Sequence, residues 1–565
     1  MNRKQLVDEV SIVFSGAAGQ GIQSIEMILT KLLKREGYHV FSTKEFMSRI
    51  RGGINSTCLR VSSERVNAPM EKADLFLPLI QDTTLHLQDK ITEHTVIIGE
   101  QEVVQFDDMV DIPFSEIAKR CGNKIYSSSV AVGVIAGILD VSDSTIEKTF
   151  TKHFKGKDEK IIQENIQAAK EGIKESAKIQ EHLEVDIEKD ASVQDEMLIS
   201  GTEAVAMGAV SANVRYVASY PMSPATGVLV KLAGWSEQTD CIIEQVEDEI
   251  TVVNMALGAW YAGARAFVTT SGGGLALMSE GISLSGITEI PFVVHVAQRP
   301  GPGTGLPTRT EQGDLHLVLY SGHGDFPRII YAPGTVEEAF YLTNRAFDLA
   351  DRFQVPVFIL TDQYFVDSLC NTPVWDLNKI VSENHFTETA QDYKRYAITE
   401  SGVSPRGIPG FGKGLVKVDS DEHDEEGLIT ENLNETRKAM VEKRFFRKFN
   451  LVRKEVIEPD CFGNKDNELL VVSWGSTGNA VKHAFQLLES PPAGMHFSQV
   501  WPLPENIEDI LSRYKRIAVV ENNASAQFAT LLKGYAGVPV AHNILKFTGL
   551  PFSQEEIARE IQSIQ

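Results

Sequence analysis

Residues Cys241 to Asp314 open with CIIEQVEDEITVVNMALGAWYAGARAFVTTSGGGLALM and close with QRPGPGTGLPTRTEQGDL, and their reading decides the fold. A short β-rich run (Cys241, Ile242, Ile243) passes through acidic residues into a helix whose apolar positions Ile250, Val253, Leu257 and Trp260 recur at helical spacing. A second strand, Ala266 to Thr270, ends in the glycine run Gly272, Gly273, Gly274, where backbone N–H groups can approach a ligand or pack closely. A third strand, Pro291 to Ala297, delivers Gln298 and Arg299 into a loop rich in glycine and proline. The order βαβαβ predicts a parallel sheet, with ligands beyond the carboxyl ends of its strands. Glu249, the glycine run and Arg299 are then expected on one rim.

The chain of 565 residues is too long for one core, and about 150 residues per domain suggests three or four. Its net charge of -23 argues against nucleic acid or anionic membrane partners. The longest apolar run, Val130 to Leu139, is too short to span a bilayer, and Met1 to Val10 is too charged for a signal peptide, so a soluble cytoplasmic protein is expected. The five cysteines (Cys58, Cys121, Cys241, Cys370, Cys461) stand singly, without zinc or iron–sulfur spacing, and are expected to be buried thiols in a reducing compartment.

The first strand, Val10 to Phe14, runs into a turn containing Gly16, Gly19 and Gly21 ahead of a helix through Leu33. This turn suits either an anion or tight helix packing, and its G-x-x-G-x-G spacing is not the dinucleotide fingerprint. We expect an α/β domain over residues 1–180, an acidic linker over 181–198 (EHLEVDIEKDASVQDE runs from Glu181), and a second α/β domain over 199–385. In that domain a strand ends in Tyr220-Pro221-Met222-Ser223-Pro224, whose prolines would fix the Ser223 hydroxyl or begin a helix. Residues 386–465 are expected to be an irregular excursion, with His423 on a solvated face rather than in a metal site. Residues 466–565 read as a compact α/β scaffold, with Asn522-Asn523 in a turn.

At Tyr220 to Pro224, Glu247 to Ile250, Gln298 to Thr308 and Gly322 to Gly324, the chain resembles the alpha subunit of the 2-oxoacid:ferredoxin (acceptor) oxidoreductases. GAAGQG and Arg51-Gly52-Gly53 resemble the family's gamma subunit, here fused ahead of alpha, and the nearest subgroup is the 2-oxoglutarate type. The resemblance implies a Rossmann-like gamma domain, a thiamine pyrimidine-binding-like domain and a C-terminal transketolase-like domain. It implies oxidative decarboxylation of a 2-oxoacid on thiamine diphosphate, with coenzyme A as co-substrate.

By the same resemblance, Glu249 is the catalytic carboxylate on the aminopyrimidine ring, with Glu247 as the alternative. Tyr220, Pro221, Gly272 and Gly273 would line the cofactor. Arg299 would grip the substrate carboxylate, assisted by Ser223 and Thr308. Gly16, Gly19 and Gly21 would form an anion or coenzyme A loop. The chain departs from the family pattern in three places: YPMSP has serine where threonine is usual, SGGG stands where SGPG is common, and Pro300 follows the arginine. These departures bear on substrate preference more than on the reaction.

The chain has no Gly-Asp-Gly, so magnesium and diphosphate binding, the iron–sulfur clusters and electron exit to ferredoxin are assigned to a beta subunit in an α2β2 assembly. The competing class is a nucleotide-binding regulatory subunit of an oxidoreductase complex, using the N-terminal glycine turn. An NAD-dependent dehydrogenase is disfavoured by the glycine spacing and the missing ribose-binding acid.

Overall fold

A computed structural model describes residues 4–47, 53–83 and 87–565. Arg51 and Gly52 of the gamma-like motif lie outside the described residues. The chain forms two compact units, Met1–Ser200 with Asp367–Trp375 and Ser553–Glu556, and Gly201–Val366 with Asp376–Phe552 and Ile557–Gln565. Among the described residues, no helix is long and apolar enough to cross a membrane.

In the first unit, strands β1 (Lys4–Val7), β2 (Glu9–Ala17), β3 (His39–Glu45), β4 (Ile54–Ser62), β5 (Leu75–Pro78), β6 (Val96–Gly99), β7 (Val110–Asp111), β8 (Leu183–Asp186) and β9 (Met197–Ser200) are joined by β16 (Leu369–Thr372) from far along the chain. The main sheet has the order β7-β6-β5-β2-β4-β3-β16-β9. The Asn371 side chain in β16 accepts a hydrogen bond from the Val40 N–H at 2.7 Å, fixing the inserted strand. Helix Ile22–Glu36 packs its apolar stripe of Ile25, Ile28, Leu29 and Leu32 into the core of this unit. The apolar run at Val130 becomes the buried helix Ser127–Ile138, which crosses helix Glu159–Gln180 at close range. A side chain on Gly172 would collide with the carbonyl of Val130, so glycine sets that approach.

The stretch 181–198 is not the linker its composition suggests. Leu183–Asp186 pairs in parallel with Lys4–Val7, Val193 is fully buried, and Met197–Ser200 closes the sheet edge. Its acids hide a period-two alternation of Leu183, Val185 and Ile187, which is a strand pattern.

The second unit carries the parallel sheet expected from the sequence. Strands β10 (Tyr216–Ser219), β11 (Ile242–Gln245), β12 (Ala266–Thr270), β13 (Phe292–Gln298), β14 (Ile329–Tyr331) and β15 (Pro356–Asp362) pair in parallel in the order β11-β10-β12-β13-β15-β14, and β20 (Gln499–Trp501) adds an antiparallel edge. Every residue of β12 and β13 is buried, as central parallel strands covered on both faces require. His295, a buried polar residue of β13, is held between the hydroxyls of Thr269 and Thr361 at 2.9 and 2.8 Å. Burial lowers its pKa to about 3, so the ring stays neutral.

A second sheet in this unit has the order β17 (Asp460–Gly463), β19 (Ala493–Phe497), β18 (Leu469–Trp474), β21 (Arg516–Glu521), β22 (His542–Leu545). Because β20 leaves it to pair with β14, the expected separation of residues 199–385 from 466–565 gives way to one compact unit. Cys461, on the edge strand β17, is exposed, so the expectation of buried thiols fails there.

The excursion 386–465 is irregular in secondary structure but firmly anchored. Glu289, at the left-handed end of helix Ser279–Thr288, is buried with Lys443 at 2.7 Å and with Lys448, and its backbone carbonyl accepts from Arg395. Burial alone would raise the Glu289 carboxyl, but Lys443, Lys448 and Arg395 outweigh it and hold the group far below the usual range. His423 is fully buried rather than solvated, its ring 3.8 Å from that of Tyr396 and its Nδ1 at 2.9 Å from the Asp421 carbonyl. The neighbouring Glu422 turns instead to Arg437 and Arg444. Removing one member of a buried ion pair strands its partners. Glu289→Gln is therefore expected to lower unfolding free energy by about 3–5 kcal/mol in urea denaturation of the full chain, and a loss below about 1 kcal/mol would show that the cluster does not anchor the excursion.

Candidate active site

The candidate site lies at the carboxyl ends of β10, β12 and β13. The acidic run after β11 divides its labour. Asp248 caps helix Glu249–Tyr261, its carboxylate accepting from the Thr251 N–H at 2.8 Å, and Glu247 is exposed. Glu249 is thereby free to turn inward from the first helical position, where it is 3% exposed and its Oε1 has no hydrogen-bond partner. Val252, Val253, Ala256, Leu257 and Trp260 bury the helix behind it, whereas Ile250, counted in its apolar spacing, is 53% exposed.

The glycine run after β12 is the first turn of helix Gly272–Leu277. A Cβ on Gly274 would collide with the Thr270 hydroxyl and lie 2.7 Å from Glu249 Oε1. A Cβ on Gly272 would overlap the carboxylate of Asp314. Gly273, between them, faces nothing nearer than the Gly303 carbonyl and Met222 Sδ, both at 3.9 Å. Two carboxylates therefore lean on bare backbone on either side of an open face.

Asp314 was not singled out from the sequence. Its N–H donates to Gln298 Oε1 at 2.9 Å, and Gln298 in turn donates to the Thr361 carbonyl. Its Oδ2 is buried without a partner. Burial, reinforced by Glu311 and opposed by Arg299, pushes this carboxyl up to about 7. The one sequence signal was its place at the end of the Gln298 loop, and nothing local says that the loop folds back onto Gly272.

Arg299 donates to the Ser223 backbone carbonyl at 2.6 Å, which places it beside the Tyr220–Pro224 turn. Burial draws the guanidinium below its ordinary value while Asp314 opposes that shift. Tyr220 is 39% exposed, Pro221 and Thr308 are half-buried, and the loop tip 301–306 is exposed. The loop is bolted down beyond its tip. The Thr310 N–H donates to the Gly549 carbonyl at 3.0 Å, and the Gln312 side chain joins the Trp474 carbonyl to the Asn522 N–H. Asn522 and Asn523, expected in a turn, bend the chain after β21 and are buried in this junction.

In the first unit, Gly16 is the last residue but one of β2, and Gly19 and Gly21 adopt positive φ at 92 and 83°. The Gln20 side chain closes the turn on the Ala17 N–H, no side chain caps helix Ile22–Glu36, and space beside Gly19 is open.

Comparison with known proteins gives this geometry a context. The family model for pyruvate ferredoxin/flavodoxin oxidoreductase matches residues 11–175, and that for pyruvate flavodoxin/ferredoxin oxidoreductase, thiamine diP-binding, matches residues 207–443. The 2-oxoglutarate synthase subunit KorA of Archaeoglobus fulgidus is 32% identical over 334 residues, covering 58% of this chain and 88% of that protein. The chain belongs to the 2-oxoacid:ferredoxin oxidoreductase family. A 2-oxoacid:ferredoxin oxidoreductase alpha subunit from Sulfolobus is 29% identical over 619 residues, spanning 97% of this chain and 96% of that one. A 2-oxoglutarate:ferredoxin oxidoreductase from Magnetococcus marinus, solved with 2-oxoglutarate, coenzyme A and succinyl-CoA bound, has a TM-score of 0.93 at 28% identity, covering 99% of this chain and all of that one. The resemblance seen in the motifs thus extends along the chain of this oxidoreductase, the fused N-terminal part included.

The residues present fit a thiamine ring. A buried carboxylate oxygen without a partner, beside a glycine whose side chain would block it, is what a ring nitrogen needs to meet.

The folded protein keeps the Asp314 proton up to about pH 7, whereas an unfolded aspartate loses it near pH 4. Stability from the protonated carboxyl is therefore present below about pH 4 and lost as pH rises through 7. Asp314→Asn is expected to melt above the parent at pH 8, with the gap closing toward pH 5. A gap independent of pH would contradict the raised carboxyl.

Proposed function

We propose that this chain is the catalytic alpha subunit, with gamma fused ahead of it, of a cytoplasmic enzyme that oxidatively decarboxylates a 2-oxoacid, with 2-oxoglutarate favoured, to acyl-CoA and CO2. Electrons leave through a beta subunit to ferredoxin. The observation that carries this reading is the partnerless Glu249 carboxylate buried at the strand ends beside Gly274. The substrate preference is supported by the KorA relatives, named 2-oxoglutarate synthase subunits, and by the ligands bound to the Magnetococcus enzyme.

Thiamine diphosphate, when bound, supplies an acidic ring carbon and an electron sink for the bond to CO2. Glu249 would hold the aminopyrimidine nitrogen and favour the tautomer that takes the ring proton. Tyr220, Pro221, Gly272 and Gly273 would line the ring, Gly273 offering its open face. Arg299 would grip the substrate carboxylate in a planar, charge-assisted pair, with the hydroxyls of Ser223 and Thr308 orienting the acid. Gly16, Gly19 and Gly21 would receive an anionic group of coenzyme A, supported by the uncapped helix behind them.

The partner is argued from what surrounds the site. Val230, Ile242, Ile250, Leu277 and Leu306 are each more than half exposed on elements flanking Glu249, an apolar rim suited to a covering subunit. A beta subunit would bring the diphosphate grip, magnesium and the iron–sulfur clusters, in an α2β2 assembly.

Copurified with its partner, the chain should reduce a viologen dye only when 2-oxoglutarate and coenzyme A are both supplied. Glu249→Gln should abolish this reduction, and Arg299→Lys should raise KM for the oxoacid about tenfold or more, since a point charge cannot replace a planar fork. Full activity of Glu249→Gln would reject the assignment.

A further inference from the structure

The Asp314 carboxyl is the one buried acid in the site to which the mechanism above gives no task. It covers Gly272, which cannot carry a side chain without displacing it, and its backbone is pinned through Gln298 to β15. Its Oδ2 has no hydrogen-bond partner. The charged groups that reach it are Glu311 from its own loop and Arg299 from the end of β13, next to the Gln298 that holds its backbone. The glycine turn beneath brings only backbone, and Glu249 sits beyond that turn, over Gly274.

We propose that Asp314 is a positioning residue that exchanges charge with the substrate: it balances Arg299 while the pocket is empty and takes a proton from solvent when the oxoacid carboxylate pairs with that arginine. This rests on the reading of Arg299 given above. The Asp314 Oδ2 is buried without a partner beside the half-buried Arg299, so a second carboxylate brought to that arginine cannot leave both acids ionised cheaply. A 2-oxo carboxylate is a much stronger acid than an alkyl carboxylate, so the proton goes to Asp314, which already holds it more tightly than usual. No bond to carbon changes in this step. One solvent proton adds to a carboxyl oxygen of Asp314 as the substrate binds, and it can return to solvent once the substrate carboxylate has left as CO2. The device would let a negatively charged acid enter beside Glu311 and Asp314 without an added buried charge, and would favour binding where a proton is available.

The test uses the copurified complex and glutarate, a dicarboxylate of the same length that lacks the keto group and cannot react. Calorimetric titration in two buffers of different ionisation enthalpy reads the protons taken up on binding. The parent complex should take up a fraction that rises toward one proton between pH 7 and 8, and Asp314→Asn should bind glutarate with that uptake gone. Glu311→Gln removes a like charge, so its uptake should begin at lower pH. In turnover, the parent KM for 2-oxoglutarate should rise up to about tenfold per pH unit above 7, while Asp314→Asn flattens KM against pH and leaves the pH profile of kcat in place. Binding with the same proton uptake in Asp314→Asn as in the parent would overturn the inference alone. Failure of the parent complex to bind glutarate or turn over 2-oxoglutarate would overturn the functional reading and this inference with it.

Discussion

A buried carboxylate must find a cation, a set of donors or a proton, and the second unit of this chain shows both how it meets that demand and where it declines to. Glu289 is given two lysines and an arginine, and Glu521 is given the N–H groups of Phe528 and Ala529. Glu249 and Asp314 receive neither treatment: each keeps a buried oxygen without a partner, and each lies against a glycine of the same turn. A fold that can pair its interior acids has left two of them open at one place. That place is the end of the central strands of a parallel sheet, where such folds bind ligands.

The architecture around the turn explains how two unpaired acids are tolerated. β12 and β13 are buried along their whole length, and Thr270 is paired to Val296 and Gln298 to Asp362, which fixes the positions of both. The Gln298 amide spends one end on β15 and the other on the Asp314 backbone. Gln312 then ties the same loop to the second sheet through Trp474 and Asn522. The loop is rigid at both ends and exposed only at its tip, which is the distribution expected of a segment that positions charged groups while leaving an entrance beside them.

Local pattern made much of this legible. The order of strands and helices around Glu249 follows from hydrophobic periodicity, whereas the choice of Glu249 among the acids there came from the resemblance to the family. Asp248 takes the role of cap and leaves Glu249 to another. What the sequence hid depends on distant partners. Asp314 looks like any loop acid until it is folded onto Gly272, Asn522 and Asn523 until they meet Gln312, and His423 until Tyr396 covers its ring. The stretch after Glu181 misled for a different reason, since average acidity masked an alternation that only its pairing with Lys4–Val7 exposes.

The departures from the family pattern gain a physical meaning from the same geometry. Where SGPG is common, this chain has Ser271-Gly272-Gly273-Gly274, and the changed position is Gly273, whose side faces open space in the first turn of its helix. Proline is tolerated in a first turn, so either residue suits the backbone there. The two glycines that touch Asp314 and Glu249 are retained. Serine at position 223, where threonine is usual, meets Arg299 through its carbonyl, an atom that the exchange does not alter. The departures at positions 273 and 223 thus leave in place the glycines that touch the two acids and the carbonyl that meets the arginine.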